Sequence, residues 1–450
     1  MRFEADGTPR FPQKSRRRPL SRQVAVAAAI TILSLGGPSI LIAQDDREVQ
    51  VNAYTTNGPF QPAIAALADG RFIVAWSGRM TDGVFDREIW TRFLDSSGQP
   101  TGGEFQVNSY TEVKQEYPSI TQLEDETIAI AWDDSDAMSV RRISTTGLPI
   151  GSEIRLQASD GGSSDVETKA SIAPAVGGGY LVAWDCSIDC LGTTQPRTVV
   201  AQLFDAGDNT VGSPFVIPDD LGTTGSQARS SIASLDANGF IVVWRHFRLD
   251  EPRVRGRRLD MNGSPIGGEL IFSSQGDFPT VAAAGDDEFV VAWQDLATEE
   301  DRNLSIRIQR YDTAGQPLAA ELELAPPQNG VDALTVPSVA TNAAGDIFSS
   351  FRFGSTAGRV EVGFARFDSL GDRTNFHLQI NSIGQGPSTQ NRHKVAAGND
   401  TFAVVWNSDV SLSNDFDALS VQARSSFQAI FIDGFESGDT SLWFEAVSDP

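Results

Sequence analysis

Histidine is almost missing from this chain: His246, His377 and His393 are the only three among 450 residues. With so few, and with no Gly-x-Ser-x-Gly, His-Glu-x-x-His or phosphate-binding glycine loop, the motif-bearing hydrolases, zinc peptidases and nucleotide enzymes drop out. Cysteine is scarcer still, at two, Cys186 and Cys190. Their C-x3-C spacing falls in a predicted loop, and no His or further Cys completes a zinc site. The pair therefore reads as a local disulfide, worth only about 2 kcal/mol because the ring it closes is short. Basic charge is short as well: 35 Lys and Arg against 59 Asp and Glu leave −24, and without a clustered basic surface nucleic acid is excluded as a partner. Apart from one stretch near the amino terminus no long apolar run occurs, which excludes a polytopic membrane protein, while 40% apolar content excludes a disordered chain. Beyond that stretch no segment carries a helical period.

The exception is the amino terminus. Seven basic and two acidic residues lie within 1–43, and Val24 to Ile42 is apolar but for polar Thr31, Ser34 and Ser39 and the break at Gly36, Gly37 and Pro38. That is the pattern of an export signal, with Leu41 and Ala43 suiting cleavage before Gln44. The exported form then carries 28 basic and 57 acidic residues, a net −29, and no membrane span. Ser15-Arg16-Arg17-Arg18-Pro19-Leu20 approaches a twin-arginine motif, but Pro19 stands where an aromatic belongs, so the general secretory and twin-arginine routes both stay open.

What the chain has in abundance is itself. Glu48-Val49-Gln50-Val51-Asn52 recurs as Glu104-Phe105-Gln106-Val107-Asn108 and, more faintly, at 153–156, 214–217, 269–272, 321–324 and 376–380. Each copy opens a unit of about 50–60 residues. A short run such as Pro118-Ser119-Ile120 follows, then an apolar run ending at Trp76, Trp132, Trp184, Trp244, Trp293, Phe351 or Trp406. A third segment, such as Thr91-Arg92-Phe93-Leu94-Asp95, closes with a Gly-x-Pro turn such as Gly98-Gln99-Pro100. Four strand-like segments in each of seven units specify an all-β, seven-bladed β-propeller over residues 44–430, with 431–450 as a tail. The residue before the aliphatic of the first segment is Ala63, Ser119, Ser171, Ser231, Thr280, Ser338 and Lys394. Six of these are small, as the innermost strand requires, so that segment is strand A, the tryptophan segment B, the arginine segment C and the Glu-Phe-Gln-Val-Asn segment D. The last unit lacks a D segment, and 48–52 precede the first A. The amino-terminal strand is therefore expected to complete blade 7 and close the ring.

The pattern E-F-Q-V-N, P-S-I, D-G-x-F-I-V-A-W, R-F-x-D-x-x-G-x-P resembles the tandem repeats of large secreted bacterial proteins over about 47–430. The tail, Phe431-Ile432-Asp433-Gly434-Phe435-Glu436-Ser437-Gly438-Asp439-Thr440-Ser441-Leu442-Trp443, is similar to a carboxyl-terminal segment of many exported bacterial proteins. The resemblance implies a secreted propeller, in the periplasm, at the cell surface or outside the cell. It brings no catalytic residues.

The repeating tryptophans and Phe351 are expected to pack between blades rather than stack on sugars. Trp90 and Trp443 stand outside the register and are the better candidates for exposed aromatics. Arg142, Arg258, Arg310 and Arg366 share one position on strand C and are expected to form structural pairs. Function belongs to the variable D-to-A and B-to-C loops, which lie on one face. The acidic candidates there are Asp133, Asp134 and Asp136 of blade 2, Asp295, Glu299, Glu300 and Asp301 of blade 5, and Asp409, Asp415 and Asp417 of blade 7. No cofactor is required, and calcium is the ion such loops would take, although no Asp-x-Asp-x-Asp-Gly run is present. The expectation is a monomeric binding or interaction platform with a protein or glycan partner. The alternative is a glycoside hydrolase or polysaccharide lyase using acidic loop residues. Mass spectrometry of the exported protein should find its first residue near Gln44; an intact chain held in membranes would defeat the signal-peptide reading.

Overall fold

The computed structural model describes residues 48–53, 60–78, 87–135, 137–157, 169–187, 191, 197–219, 226–247, 253–285, 287–296, 304–324, 331–355, 360–377, 379–381, 392–408 and 420–425. The expected export signal (1–43) and the expected tail (431–450) lie outside them. The described residues form seven antiparallel four-stranded sheets, with helix confined to isolated 3-10 turns such as Asp236–Asn238. No helix among them is long and apolar enough to cross a membrane. Blade 2 shows the plan: strand A is Glu116–Gln122, B Ile128–Asp133, C Ala137–Ile143 and D Pro149–Gln157, paired in that order. Each strand A packs against strand A of both neighbouring blades around the whole circuit. The molecule is a seven-bladed β-propeller with strand A at the axis.

The last blade is assembled from both ends of the chain. His393–Ala397, Phe402–Ser408 and Ser420–Ser425 supply strands A to C, and Val49–Gln50 pairs with Ser420–Ser425 through Val49↔Ala423 and Gln50↔Gln422. The closure inferred from the leftover segments is therefore present.

Strand B explains why the apolar runs are continuous. In Phe72–Gly78, Ile73 and Ala75 face blade 2 and join Trp132 in one apolar cluster, whereas Phe72, Val74 and Trp76 face blade 7 and join Ala403, Val405 and Ala423 in another. Because side chains alternate with period two, a strand with a blade on each side must be apolar at every position. Seven such clusters occur among the described residues, one per junction, and each holds Trp76, Trp132, Trp184, Trp244, Trp293, Phe351 or Trp406 at 3% exposure or less. Trp90 is not the exposed aromatic expected: it packs half-buried against the junction of blades 7 and 1.

The polar letters of the repeat tie one blade to the next. The Val51 carbonyl accepts from Arg92 of blade 1 at 2.8 Å, and Val107, Ile217 and Ile380 accept from Arg141, Arg257 and Arg424 of the following blades. The Asn108 side chain caps strand C of its own blade, accepting from the Ile89 N–H at 2.9 Å, and Asn381 does the same for Val362. The glutamate reaches backward: Glu104 accepts from the Ala53 N–H, Glu153 from Ser109 and Tyr110, and Glu269 from Asp219. Arg142, Arg310 and Arg366 are also structural. Arg142 pairs with Asp125 and donates to the Ala206 carbonyl of blade 3, Arg310 binds Glu288 and the Gly345 carbonyl, and Arg366 binds Asp346.

The described C-to-D turns are each built on one side-chain oxygen, a carboxylate in five blades and Ser144 Oγ in blade 2. Asp95 Oδ1 accepts from the Ser97 and Gln99 N–H groups, both at 2.9 Å, and Asp260 and Asp368 repeat the arrangement. Gly98 follows at φ +80°, a conformation that only glycine adopts without strain. Deleting 47–52 removes the closing strand, the buried Val51 and the Arg92 bond together, so the urea midpoint should fall sharply. Removing 436–450 should leave it within error, and equal effects from the two truncations would refute this closure.

Candidate functional site

Where strand A begins, the pairing with strand B slips by one residue in five blades. The pairs Phe60↔Ser77 and Ala63↔Ala75 in blade 1 show the slip, and the same irregularity recurs at Glu116/Ser119, Ala228/Ser231, Asp277/Thr280 and Thr335/Ser338. Inside the bulges Gln61, Tyr117, Arg229, Phe278 and Val336 hold φ between 49° and 60°, in the left-handed region. Such a residue costs about 1–3 kcal/mol and persists only when its surroundings over-determine it. Those surroundings are visible. Tyr117 N–H donates to Gln61 Oε1 of blade 1 at 2.7 Å, and Val336 N–H to Gln294 Oε1 of blade 5 at 3.3 Å. Asp185 of blade 3 accepts from Arg229 N–H at 2.5 Å and from both Ser230 N–H and Oγ–H. Its burial pushes the carboxyl above the usual carboxylate range, opposed by those three donors.

The bulges ring a funnel of about 210 Å3 on the axis, on the face where the D-to-A and B-to-C connections lie. Its rim carries Gln61, Tyr117, Lys169, Arg229, Phe278, Val336 and Arg392, one from each blade. Deeper in stand Ala63, Ser119, Ser171, Ser231, Thr280 and Lys394, while Ser338, at the matching place of blade 6, is buried behind the lining. Three of these hydroxyls join blades: Ser171 Oγ accepts from Ile232 N–H at 3.0 Å, Ser231 Oγ from Val281 at 3.2 Å and Ser338 Oγ from Val395 at 3.3 Å.

Charge in the funnel is of one sign. Lys169, Arg229, Arg392 and Lys394 line it, and among the described residues no Asp or Glu does. Arg229 is held from behind by Asp277 at 2.6 Å, a carboxylate shared with Arg245, and lies 3.6 Å from the Phe278 ring centroid. Arg392 reaches across blade 1 to lie over the Tyr117 ring at 4.6 Å and donates to its hydroxyl at 3.2 Å. Lys394 lines the funnel with its side chain exposed to the lumen. Desolvation in that confined space, with the charges of Lys169 and Arg392, brings its ammonium down to about 8. Behind it, buried His393 meets Ser350 Oγ through Nδ1 at 2.8 Å, and burial, with Arg352 and Lys394 nearby, lowers the imidazole to about 3.

Of the acidic residues singled out from the sequence, the three among the described residues, Asp133, Asp134 and Asp295, do not line the funnel. Asp133 accepts from its neighbour Ser135 N–H at 2.9 Å. Asp134 is fully buried between Ser139 Oγ–H at 2.8 Å and Arg155 Nε at 2.5 Å. Asp295 pairs with Arg307 at 3.0 Å, which also binds Glu321 and Glu323. Asp136, Glu299, Glu300, Asp301, Asp409, Asp415 and Asp417 lie outside the described residues. Among the described residues no three His, Cys, Asp or Glu side chains gather as metal ligands would. Cys186 is buried at the end of strand B of blade 3 and is disulfide-bonded, while Cys190 lies outside the described residues.

No family model matches the chain. No curated protein matches it in sequence. Among solved structures, a protein of unknown function from Dyadobacter fermentans is similar at 12% identity and a TM-score of 0.48, covering 71% of this chain and 97% of the other. The α-L-arabinofuranosidase of Fusarium graminearum is similar at 10% identity and 0.45, over 84% and 97%. The α-L-arabinanase of Penicillium chrysogenum is similar at 11% and 0.46, over 84% and 98%. Likeness at this level carries neither activity nor ligand over to this chain.

His393 gives the site a pH signature. Its folded value lies below that of the unfolded chain, so acidification protonates the unfolded state first. The stability it contributes above about pH 6.5 is lost progressively as pH falls towards 3, up to a few kcal/mol. His393→Asn should flatten the pH dependence of the urea midpoint across that window relative to the wild type. Parallel profiles would show that His393 is not buried as a neutral group.

Proposed function

We propose that this chain is an exported binding protein that receives its ligand in the axial funnel. The observation that supports the reading is the ring of five left-handed bulges. Each presents an ordinary side chain at the rim at a cost in backbone energy, and three are fixed by hydrogen bonds from the preceding blade. Strain maintained at five equivalent positions around one opening is the pattern of a pre-organised recognition surface. Among the described residues strand A of blades 3 and 7 pairs with strand B without a slip, so the slip is not a uniform requirement of the ring.

Binding is favoured over glycoside cleavage for a chemical reason. Both retaining and inverting mechanisms call for two carboxyl groups flanking the scissile bond. The described funnel lining offers none, and Asp134 and Asp295 are engaged by arginines. The partner is a glycan or the terminal group of a larger molecule, small enough to enter the opening.

No free cysteine stands among the described residues, which permits a blocking experiment on folded protein. Ser119→Cys places one thiol in the funnel, and Thr101→Cys places one beside a C-to-D turn on the opposite face. Each is labelled with a bulky maleimide after folding, and a panel of neutral and acidic saccharides is screened by thermal shift. Compounds that raise the Tm of the wild type should lose that effect in the labelled Ser119→Cys protein and keep it in the other. Retention in both would place binding elsewhere, and new reducing ends released by the wild type would establish an enzyme.

A further inference from the structure

The funnel has a chemistry opposite to that of its molecule. The whole chain carries −24, yet the described residues lining this cavity include four cations, a histidine and no carboxylate. We propose that the funnel is an oxyanion receptor, in which the carboxylate, sulfate or phosphate end of a monosaccharide-sized ligand sits against Lys394, with Lys169 and Arg392 flanking it. This deepens the binding reading given above and rests on it.

Position argues first. At the register position of strand A that matches Lys394 the other six blades use Ala63, Ser119, Ser171, Ser231, Thr280 and Ser338, all small because the axis is crowded. Blade 7 alone places a long side chain there, and Lys394 stands among the residues that line the cavity. No ion pair engages it among the described residues. The cations nearest to it, Lys169 and Arg392, oppose its charge and help to depress its ammonium. An anion beside Lys394 reverses the sign of that interaction.

The hydroxyls argue second. Of the hydroxyls that line the funnel, Ser171 and Ser231 each accept a backbone N–H from the next blade, which uses an oxygen lone pair and leaves the hydroxyl hydrogen to donate. Donors arranged around an ammonium match the several acceptor lone pairs of an oxyanion, and charge-assisted bonds of this kind are the stronger class. A neutral sugar would meet the same hydroxyls but bring no opposite charge to Lys394.

Size argues third. A volume of about 210 Å3 lies below the roughly 300–1,000 Å3 typical of sites for drug-sized ligands. It suits one ring or one terminal group rather than a buried chain. At the rim Arg229 and Arg392 are each stacked on an aromatic ring, so both guanidinium groups are held in place before a ligand arrives.

The groups that carry or exchange charge around Lys394 are Lys169, Arg392, His393 and Tyr117 at the funnel and Arg352 on strand B of blade 6. Deprotonation of Lys394 as pH rises from about 7 to about 9 should weaken the anion's hold, with the midpoint raised by the anion itself.

Calorimetry with the full exported chain, at about 0.15 M salt and neutral pH, uses galacturonate, inorganic phosphate, inorganic sulfate and neutral galactose. At least one anion should bind, with galactose clearly weaker. Galacturonate alone would indicate a carboxylated sugar, phosphate or sulfate alone a phosphorylated or sulfated one, and mutual competition a site for any oxyanion. Lys394→Ser installs the residue of the other blades and should fold; it should weaken binding by about ten-fold or more. Lys394→Arg should keep binding and flatten its loss between about pH 7 and 9. No heat from any anion, or affinity unchanged in Lys394→Ser, overturns the proposal. The two readings fail separately. Neutral saccharides blocked by the label on the Ser119→Cys protein while anions do not bind would leave the funnel standing and refute the oxyanion, whereas anion binding that survives that label refutes the funnel.

Discussion

Seven strands must meet at one axis, and the room there sets the terms for the rest of the molecule. Side chains that point inward from strand A have to be small, yet backbone N–H groups of neighbouring blades at the axis still need acceptors. Serine meets both demands. Ser171, Ser231 and Ser338 are short enough for the crowded neck and accept the N–H of Ile232, Val281 and Val395 in the next blade. The same oxygen that limits steric bulk thereby stitches the ring at its narrowest radius.

Moving outward, the constraint changes from room to angle. Each blade must be turned from the last by the same step, and the junction clusters set it by filling the wedge between neighbouring blades with a tryptophan or Phe351. At the outer rim the repeat's glutamate and arginine add directional bonds across the junction, and its asparagine caps strand C within its own blade. The amino-terminal segment takes part in this scheme as any other D strand does, with Val51 accepting from Arg92 and Ala53 donating to Glu104. A ring closed in this way has no free blade at which fraying could begin.

Much of this was legible in the sequence, because repetition shows which positions are fixed by the frame. The tryptophans, the small strand A residues and the orphan Glu48 to Asn52 each recur at, or complete, one register position, and each lies where the register put it. The bulges were not legible. Tyr117, Phe278 and Val336 precede proline, a place biased towards extended backbone and away from the left-handed region. The acceptor that captures the N–H of Tyr117 and of Val336 comes from a blade that is remote in sequence, so no local signal announces it. Acidic loop residues attracted attention by their number, but Asp134 and Asp295 are held by Arg155 and Arg307, partners that only strand pairing brings near. The clue to the funnel was present all the same: Lys394 is the one large residue in a column of six small ones.

The contrast between an acidic surface and a cationic lumen has a consequence for how a ligand arrives. A net charge of −24 spread over the molecule repels an anion at long range. At physiological salt that field is damped beyond about 8 Å, whereas Lys394, Lys169 and Arg392 act on a ligand already inside the funnel, where protein walls exclude most counter-ions. Added salt should therefore act in two opposite senses, easing the approach and weakening the hold. Steering through the protein's overall field cannot be what selects the ligand. Selection has to reside in contact: the reach of one lysine, the hydroxyl hydrogens around it and the two stacked guanidinium groups at the rim. Such a receptor favours anions compact enough to pass the rim and leaves extended polyanions outside, repelled by the same acidic surface.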